Sequence, residues 1–240
     1  MAELWRPPRD EDAQPVVVLI HGGFWRQMYT KRLMHRMAAA VVAHGWIAYN
    51  IEYRRVGPFG GGGWPETFAD VAAAIDALSG VAGIDRRRVV TCGHSAGGQL
   101  ALWAGTSRLT FNPAPPPITV AAAISLAGVV DLVAGARLGL GGGAVQSLMG
   151  GEPEDVPDRY ALGSPAARVP LGIPQYLLHG TADGTVPASL SAGYVERAVA
   201  LGDEATYVPL PGAGHRNVIN PAGEAFQQVK GILDRYATPG

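Results

Sequence analysis

The chain has 240 residues, 48% hydrophobic and 16% charged, with 19 basic side chains against 20 acidic, one cysteine (Cys92) and a formal net charge of −1. A chain of this length buries roughly 70–75% of the surface its unfolded form exposes, so a core needs no disulfide or structural metal, and a single cysteine excludes a disulfide framework. Balanced charge without a Lys/Arg run argues against nucleic acid or an anionic membrane as partner, and no stretch approaches the ~18–20 apolar residues of a membrane span.

No linker or repeat divides the sequence, so one domain over residues 1–240 is expected. The first ten residues carry no apolar leader, which makes a cytoplasmic location the expectation. Residues 16–20, Val-Val-Val-Leu-Ile, form a β-branched run between Pro15 and Gly22, the pattern of a strand buried on both faces. Residues 31–44 have helical spacing at Leu33, Met34, Met37, Val41 and Val42, with Gly45 as a stop. A strand over 46–53, a glycine-rich loop over 57–63, a helix from Pro65 to Leu78 and a short strand over 88–92 follow. The alternation then repeats: helix 95–104, strand 118–125, strand 175–179, helix 187–201, strand 205–208, helix 221–236. Alternating strands and helices predict an α/β architecture with a mostly parallel central sheet. Residues 131–174, rich in Gly and Pro, read as an insertion of short helices that roofs a site.

Gly93-His94-Ser95-Ala96-Gly97 lies between a predicted strand and a predicted helix, the setting of a nucleophile elbow. Glycines two before and two after the serine permit a sharp turn that lifts the hydroxyl above the sheet. The plainer reading is that Ser95 merely caps the helix. A serine hydroxyl is a poor nucleophile at neutral pH and needs a histidine base, itself oriented by a carboxylate. His215, in Pro211-Gly-Ala-Gly-His215, and Asp183, in His179-Gly-Thr-Ala-Asp183-Gly-Thr-Val-Pro187, each sit in a strand-to-helix loop at the same edge of the sheet. Asp131 also follows a strand and rivals Asp183, although a helix cap before Leu132 describes it as well. His21-Gly22-Gly23-Phe24-Trp25 follows the first strand and frees backbone amides to face the site with that of Ala96.

These motifs resemble those of α/β-hydrolases of the esterase and lipase group. The order Ser95, Asp183, His215 is that of this superfamily. His21-Gly22-Gly23-Phe24-Trp25 is similar to a motif of kynurenine formamidases, and the Asp183 loop to that of prolyl-oligopeptidase-type peptidases. The resemblance implies an α/β-hydrolase fold, a Ser95, Asp183, His215 triad, and an oxyanion hole of Gly23, Phe24 and Ala96 amides. Phe24 stands where a third glycine or a tyrosine is usual. The chain also leaves little room for the usual first two strands, so an open sheet edge that a homodimer would cover is expected.

Trp25, Trp64 and His94 are candidate pocket residues, with core packing the competing reading for both tryptophans. His35 and His44 share a helix with no carboxylate cluster at useful spacing, and His179 reads as a hydrogen-bonded core residue. No metal-ligand spacing and no dinucleotide or phosphate-loop motif appears, so no cofactor is expected. The reading is a serine hydrolase of small esters or amides, first a short-chain carboxylesterase. The alternatives are an arylformamidase, an aminopeptidase-like peptidase, an acyltransferase, and a non-catalytic binding module.

Overall fold

The computed structural model describes residues 2–8, 13–106 and 117–237. Its strands are β1 (Ala2–Trp5), β2 (Gln14–Ile20), β3 (Ile47–Ile51), β4 (Ile84–His94), β5 (Val120–Leu126), β6 (Gln175–Gly180) and β7 (Ala205–Leu210). They form one sheet in the order β1-β3-β2-β4-β5-β6-β7, parallel throughout except for β1, which runs antiparallel to β3. Helices α1 (His35–Ala43), α2 (Glu66–Asp76) and α3 (Ala96–Gly105) follow β2, β3 and β4. Between β5 and β6 lie α4 (Leu132–Arg137), α5 (Ala144–Met149), α6 (Pro157–Gly163) and α7 (Pro165–Arg168). The chain ends with α8 (Ala188–Ala200) after β6 and α9 (Glu224–Asp234) after β7.

Successive side chains of a strand point to opposite faces, and β2 shows why its apolar run is unbroken. Val16, Val18 and Ile20 enter the core beneath α2 and α3, whereas Val17 and Leu19 enter the core with Met37 and Val41 of α1 and Val229 and Leu233 of α9. Helices cover both faces, so the run from Pro15 to Ile20 is apolar without a break. Residues 96–104 of α3 are buried all round, and the Trp103 ring meets Phe68 of α2 edge-on at 5.0 Å. This central β2–β4–α3 unit carries the turn on which the site is built.

Two expectations need correction. The strand expected at 88–92 starts at Ile84, because Asp85, Arg86, Arg87 and Arg88 sit at the strand's solvated beginning, where a charged run is no obstacle. The edge expected at β3 lies one strand further out, at β1, a four-residue strand too short to show in the periodicity that pairs antiparallel with β3. His35 and His44 each meet one carboxylate, Glu3 at 3.0 Å and Asp234 at 2.8 Å, on other elements. The insertion is helical as expected, but its buried residues Val145, Leu148, Met149 and Tyr160 pack into the α2/α3 core. Among the described residues, no helix is long and apolar enough to cross a membrane.

Candidate active site

Ser95 occupies the turn between β4 and α3 with φ 54° and ψ −118°, a conformation that costs a non-glycine residue about 1–3 kcal/mol. Its N–H donates to the Leu126 carbonyl at 2.8 Å, which ties the turn to β5. A Cβ at Gly93 would run into the Gly97 carbonyl, and one at Gly97 into the Ile20 carbonyl of β2, so both positions require glycine for close backbone approach. Ser95 stands at the N-cap place of α3, yet its side chain makes no cap hydrogen bond. The hydroxyl is therefore spare for the cavity it lines.

His215 and Asp183 meet from the loops after β7 and β6. His215 Nδ1–H donates to Asp183 Oδ2 at 2.7 Å, which assigns Nε2 as the ring's free acceptor, on a residue that lines the same cavity as Ser95. The Asp183 side chain is fully covered. Burial opposes its charge, but the Val186 and Thr185 amides donating to Oδ1 at 2.9 and 2.8 Å, together with His215, hold its carboxyl below the usual range. His179 Nε2 adds a contact at 3.2 Å to Oδ2, while its Nδ1 lies 2.8 Å from Ser191 Oγ. The rival Asp131 is a helix cap: its Oδ1 accepts from the Ala134 amide at 2.9 Å.

The loop after β2 turns through three positive φ values, 112° at Gly23, 52° at Phe24 and 55° at Trp25. Gly23 and Phe24 line the cavity, and their N–H groups donate to no other backbone group among the described residues. Ala96 begins α3, where a first-turn amide has no intrahelical acceptor. His21 anchors this loop from beneath. Its Nε2–H donates to Glu52 Oε1 at 2.7 Å, its ring stacks on Tyr53 at 4.4 Å, and the Tyr53 hydroxyl donates to its carbonyl at 2.9 Å. Burial works against the Glu52 charge, yet the His21 contact, the Lys31 amide and Arg55 together hold its carboxyl below its ordinary value.

The cavity above Ser95 measures about 260 Å³, and Gly23, Phe24, Tyr29, His94, His215 and Arg216 are among the residues that line it. His94 lines this cavity. The two tryptophans do not. Trp25 is fully buried and donates through Nε1 to Gln99 Oε1 at 3.2 Å, and Trp64 packs edge-on against Phe68 at 5.0 Å. Both indoles serve the α2/α3 core, where large apolar rings gain most by burial. Nor does the 131–174 insertion roof this cavity: through Ala144 and Ser147 it walls a neighbouring groove beyond Phe24. Sequence reasoning overlooked Tyr29, Leu33, Thr185, Arg216 and Ile219 as lining residues. Thr185 and Arg216 had a signal, lying two residues from Asp183 and one from His215, whereas Tyr29 and Leu33 had none.

No cluster of three or more His, Cys, Asp or Glu side chains suited to a metal occurs among the described residues. Burial pushes the Cys92 thiol up to about 12, in keeping with a small core residue of β4.

Comparison with known proteins adds a family. The BD-FAE family model matches residues 2–197. The chain belongs to the BD-FAE family. This BD-FAE chain is 31% identical over 225 residues, 84% of its length, to esterase LipC of Mycobacterium tuberculosis, and spans 52% of that protein. Among solved structures, a truncated form of a carbohydrate esterase from gut microbiota superposes with a TM-score of 0.82 at 22% identity, covering 99% of this chain and 91% of that one. Esterase Est2 of Thermogutta terrifontis, with butyrate bound, superposes with a TM-score of 0.75 at 25% identity, over 98% of this chain and 87% of its own. The fold of this BD-FAE member is that of the α/β-hydrolases.

Proposed function

We propose that the chain is a serine esterase that cleaves short-chain carboxylic esters through an acyl-enzyme. The observation that carries this reading is the convergence on one cavity of Ser95, at a strained strand-to-helix turn, and a His215 ring aligned by the buried Asp183 carboxylate. In the proposed sequence, Ser95 Oγ attacks the acyl carbon while His215 Nε2 takes its proton. The Gly23, Phe24 and Ala96 amides receive the developing oxyanion, each such donor contributing about 2.7–4 kcal/mol in well-studied sites. His215 then protonates the departing alcohol, and a water activated by the same ring releases the acid. Asp183 stabilises the imidazolium throughout.

The relatives support the chemistry: LipC is named an esterase, and Est2 holds butyrate. A cavity of about 260 Å³ is small beside the ~300–1,000 Å³ that drug-sized ligands occupy, which favours short acyl groups. The test is kcat/KM for p-nitrophenyl acetate, p-nitrophenyl octanoate and N-formylkynurenine, with Ser95→Ala as the blank. Acetate turnover that exceeds octanoate and vanishes in Ser95→Ala is expected. A formyl amide preferred about tenfold, roughly 1.4 kcal/mol in transition-state binding, would replace the ester reading with an arylformamidase. Full activity in Ser95→Ala would end the serine mechanism.

A further inference from the structure

The cavity above Ser95 is uneven in charge. Besides Ser95, His94 and His215, the polar side chains that line it are Tyr29, Thr185 and Arg216. None of these three has a hydrogen-bonding or ion-pairing side-chain partner among the described residues. Three arginines elsewhere in the chain are held internally: Arg54 pairs with Asp70 at 2.8 Å, Arg88 with Asp85 at 2.8 Å, and Arg26 donates to the Gly141 carbonyl. No carboxylate offsets Arg216 within the cavity, because the Asp183 side chain is fully covered and committed to His215, His179 and the Thr185 and Val186 amides. The N-terminal end of α3 adds positive potential from below. A guanidinium with five N–H donors that shares a cavity with two hydroxyls and has no acceptor among the described residues is matched by an anion, and by a carboxylate best of all.

Its place next to His215 in the chain narrows the class further. A histidine base must hand its proton to the leaving-group oxygen, so the leaving group departs past His215. Arg216 is the next residue of the chain and lines the same cavity. We propose that Arg216 is a specificity residue that selects esters whose departing alcohol or phenol carries a carboxylate. The inference rests on the esterase reading and names the substrate class of that site.

The test pairs 4-acetoxybenzoate with its neutral methyl ester, methyl 4-acetoxybenzoate, on the wild type, Arg216→Gln and Arg216→Lys. The ratio of the two kcat/KM values, compared between proteins, cancels the intrinsic reactivity of each ester. Loss of the charge-assisted contact is expected to lower that ratio by about tenfold in Arg216→Gln, chiefly through KM, with partial retention in Arg216→Lys and in the wild type a fall with added salt. A ratio that is the same in wild type and Arg216→Gln overturns the proposal. Calorimetric binding of 4-hydroxybenzoate to the wild type and Arg216→Gln needs no turnover. Weaker binding to the variant supports the proposal, and equal binding, or none to the wild type, overturns it. Should the wild type hydrolyse neither ester, the esterase reading fails on its own account while the calorimetry still decides the role of Arg216.

Discussion

His94 Nε2 lies 2.9 Å from the backbone carbonyl oxygen of His215, 121 residues further along the chain, and the two rings meet at 4.8 Å. A carbonyl only accepts, so Nε2 of His94 carries the proton and donates. Its Nδ1 is then the unprotonated nitrogen, buried without a hydrogen-bond partner. Burial above all, and the nearby His215, depress the His94 pKa to about 3, so the ring stays neutral at working pH and cannot compete for the proton from Ser95. The residue next to the candidate nucleophile thus acts as a positioning residue that holds the loop of the candidate base.

Replacing His94 by Phe keeps the ring's bulk and removes the donor. We expect kcat to fall about ten- to a hundredfold as His215 loses its registration, with KM little changed and the unfolding midpoint nearly preserved. His94→Gln, whose amide can reach the same carbonyl, is expected to recover part of the loss. Steady-state kinetics on both variants, beside thermal melts, separate this role from simple packing.

Asp183→Asn retains the shape at the back of His215 but removes the charge that stabilises an imidazolium and can present the wrong hydrogen-bonding partner to Nδ1. A loss in kcat of roughly 10³–10⁴ is expected, with a folded protein by circular dichroism. Near-wild-type kcat in a folded Asp183→Asn protein would move the acid role elsewhere.

Glu52 supplies a pH signature. Its folded-state pKa is lowered, so its ionised carboxylate, held by His21, the Lys31 amide and Arg55, contributes stability that is fully present above the unfolded glutamate pKa of about 4.3 and is lost as pH falls through the folded value. The unfolding midpoint of Glu52→Gln should therefore trail the wild type at pH 7, and the gap should close on acidification below about pH 4. A gap that stays constant from neutral to acid pH would remove the carboxylate charge from the account.

Trp25 distinguishes core from pocket. In Trp25→Phe the buried Gln99 Oε1 loses its indole donor, at a cost of about 1–3 kcal/mol. Chemical denaturation should show that loss while KM for a short ester stays as in wild type. A raised KM with unchanged stability would return Trp25 to the pocket wall.

The elbow and the α/β order were legible in the sequence because their causes are local. A glycine on either side of Ser95 answers a steric demand within five residues, and strand and helix periodicities repeat over lengths shorter than one element. The order of Ser95, Asp183 and His215, each in the loop after a strand, follows from the same local signals, since parallel strands bring such loops to one edge. β1 escaped because a four-residue edge strand has too few residues for a pattern to form. Tryptophans near the site were ambiguous for a different reason: a large ring suits a core and a pocket wall equally, and only the neighbours decide.

Residue type, spacing and chain order by themselves determined the parallel α/β scaffold, the sharp turn at Ser95 and the candidate partners Asp183 and His215. The tertiary structure alone decided which polar groups meet: His94 with the His215 carbonyl, His21 with Glu52 across 31 residues, Trp25 with Gln99 across 74, and Arg216 with no carboxylate partner among the described residues. The physical reason is that a hydrogen bond is made or lost within a few tenths of an ångström. That precision comes from strand register and helix packing summed over the whole sheet, not from any segment read alone.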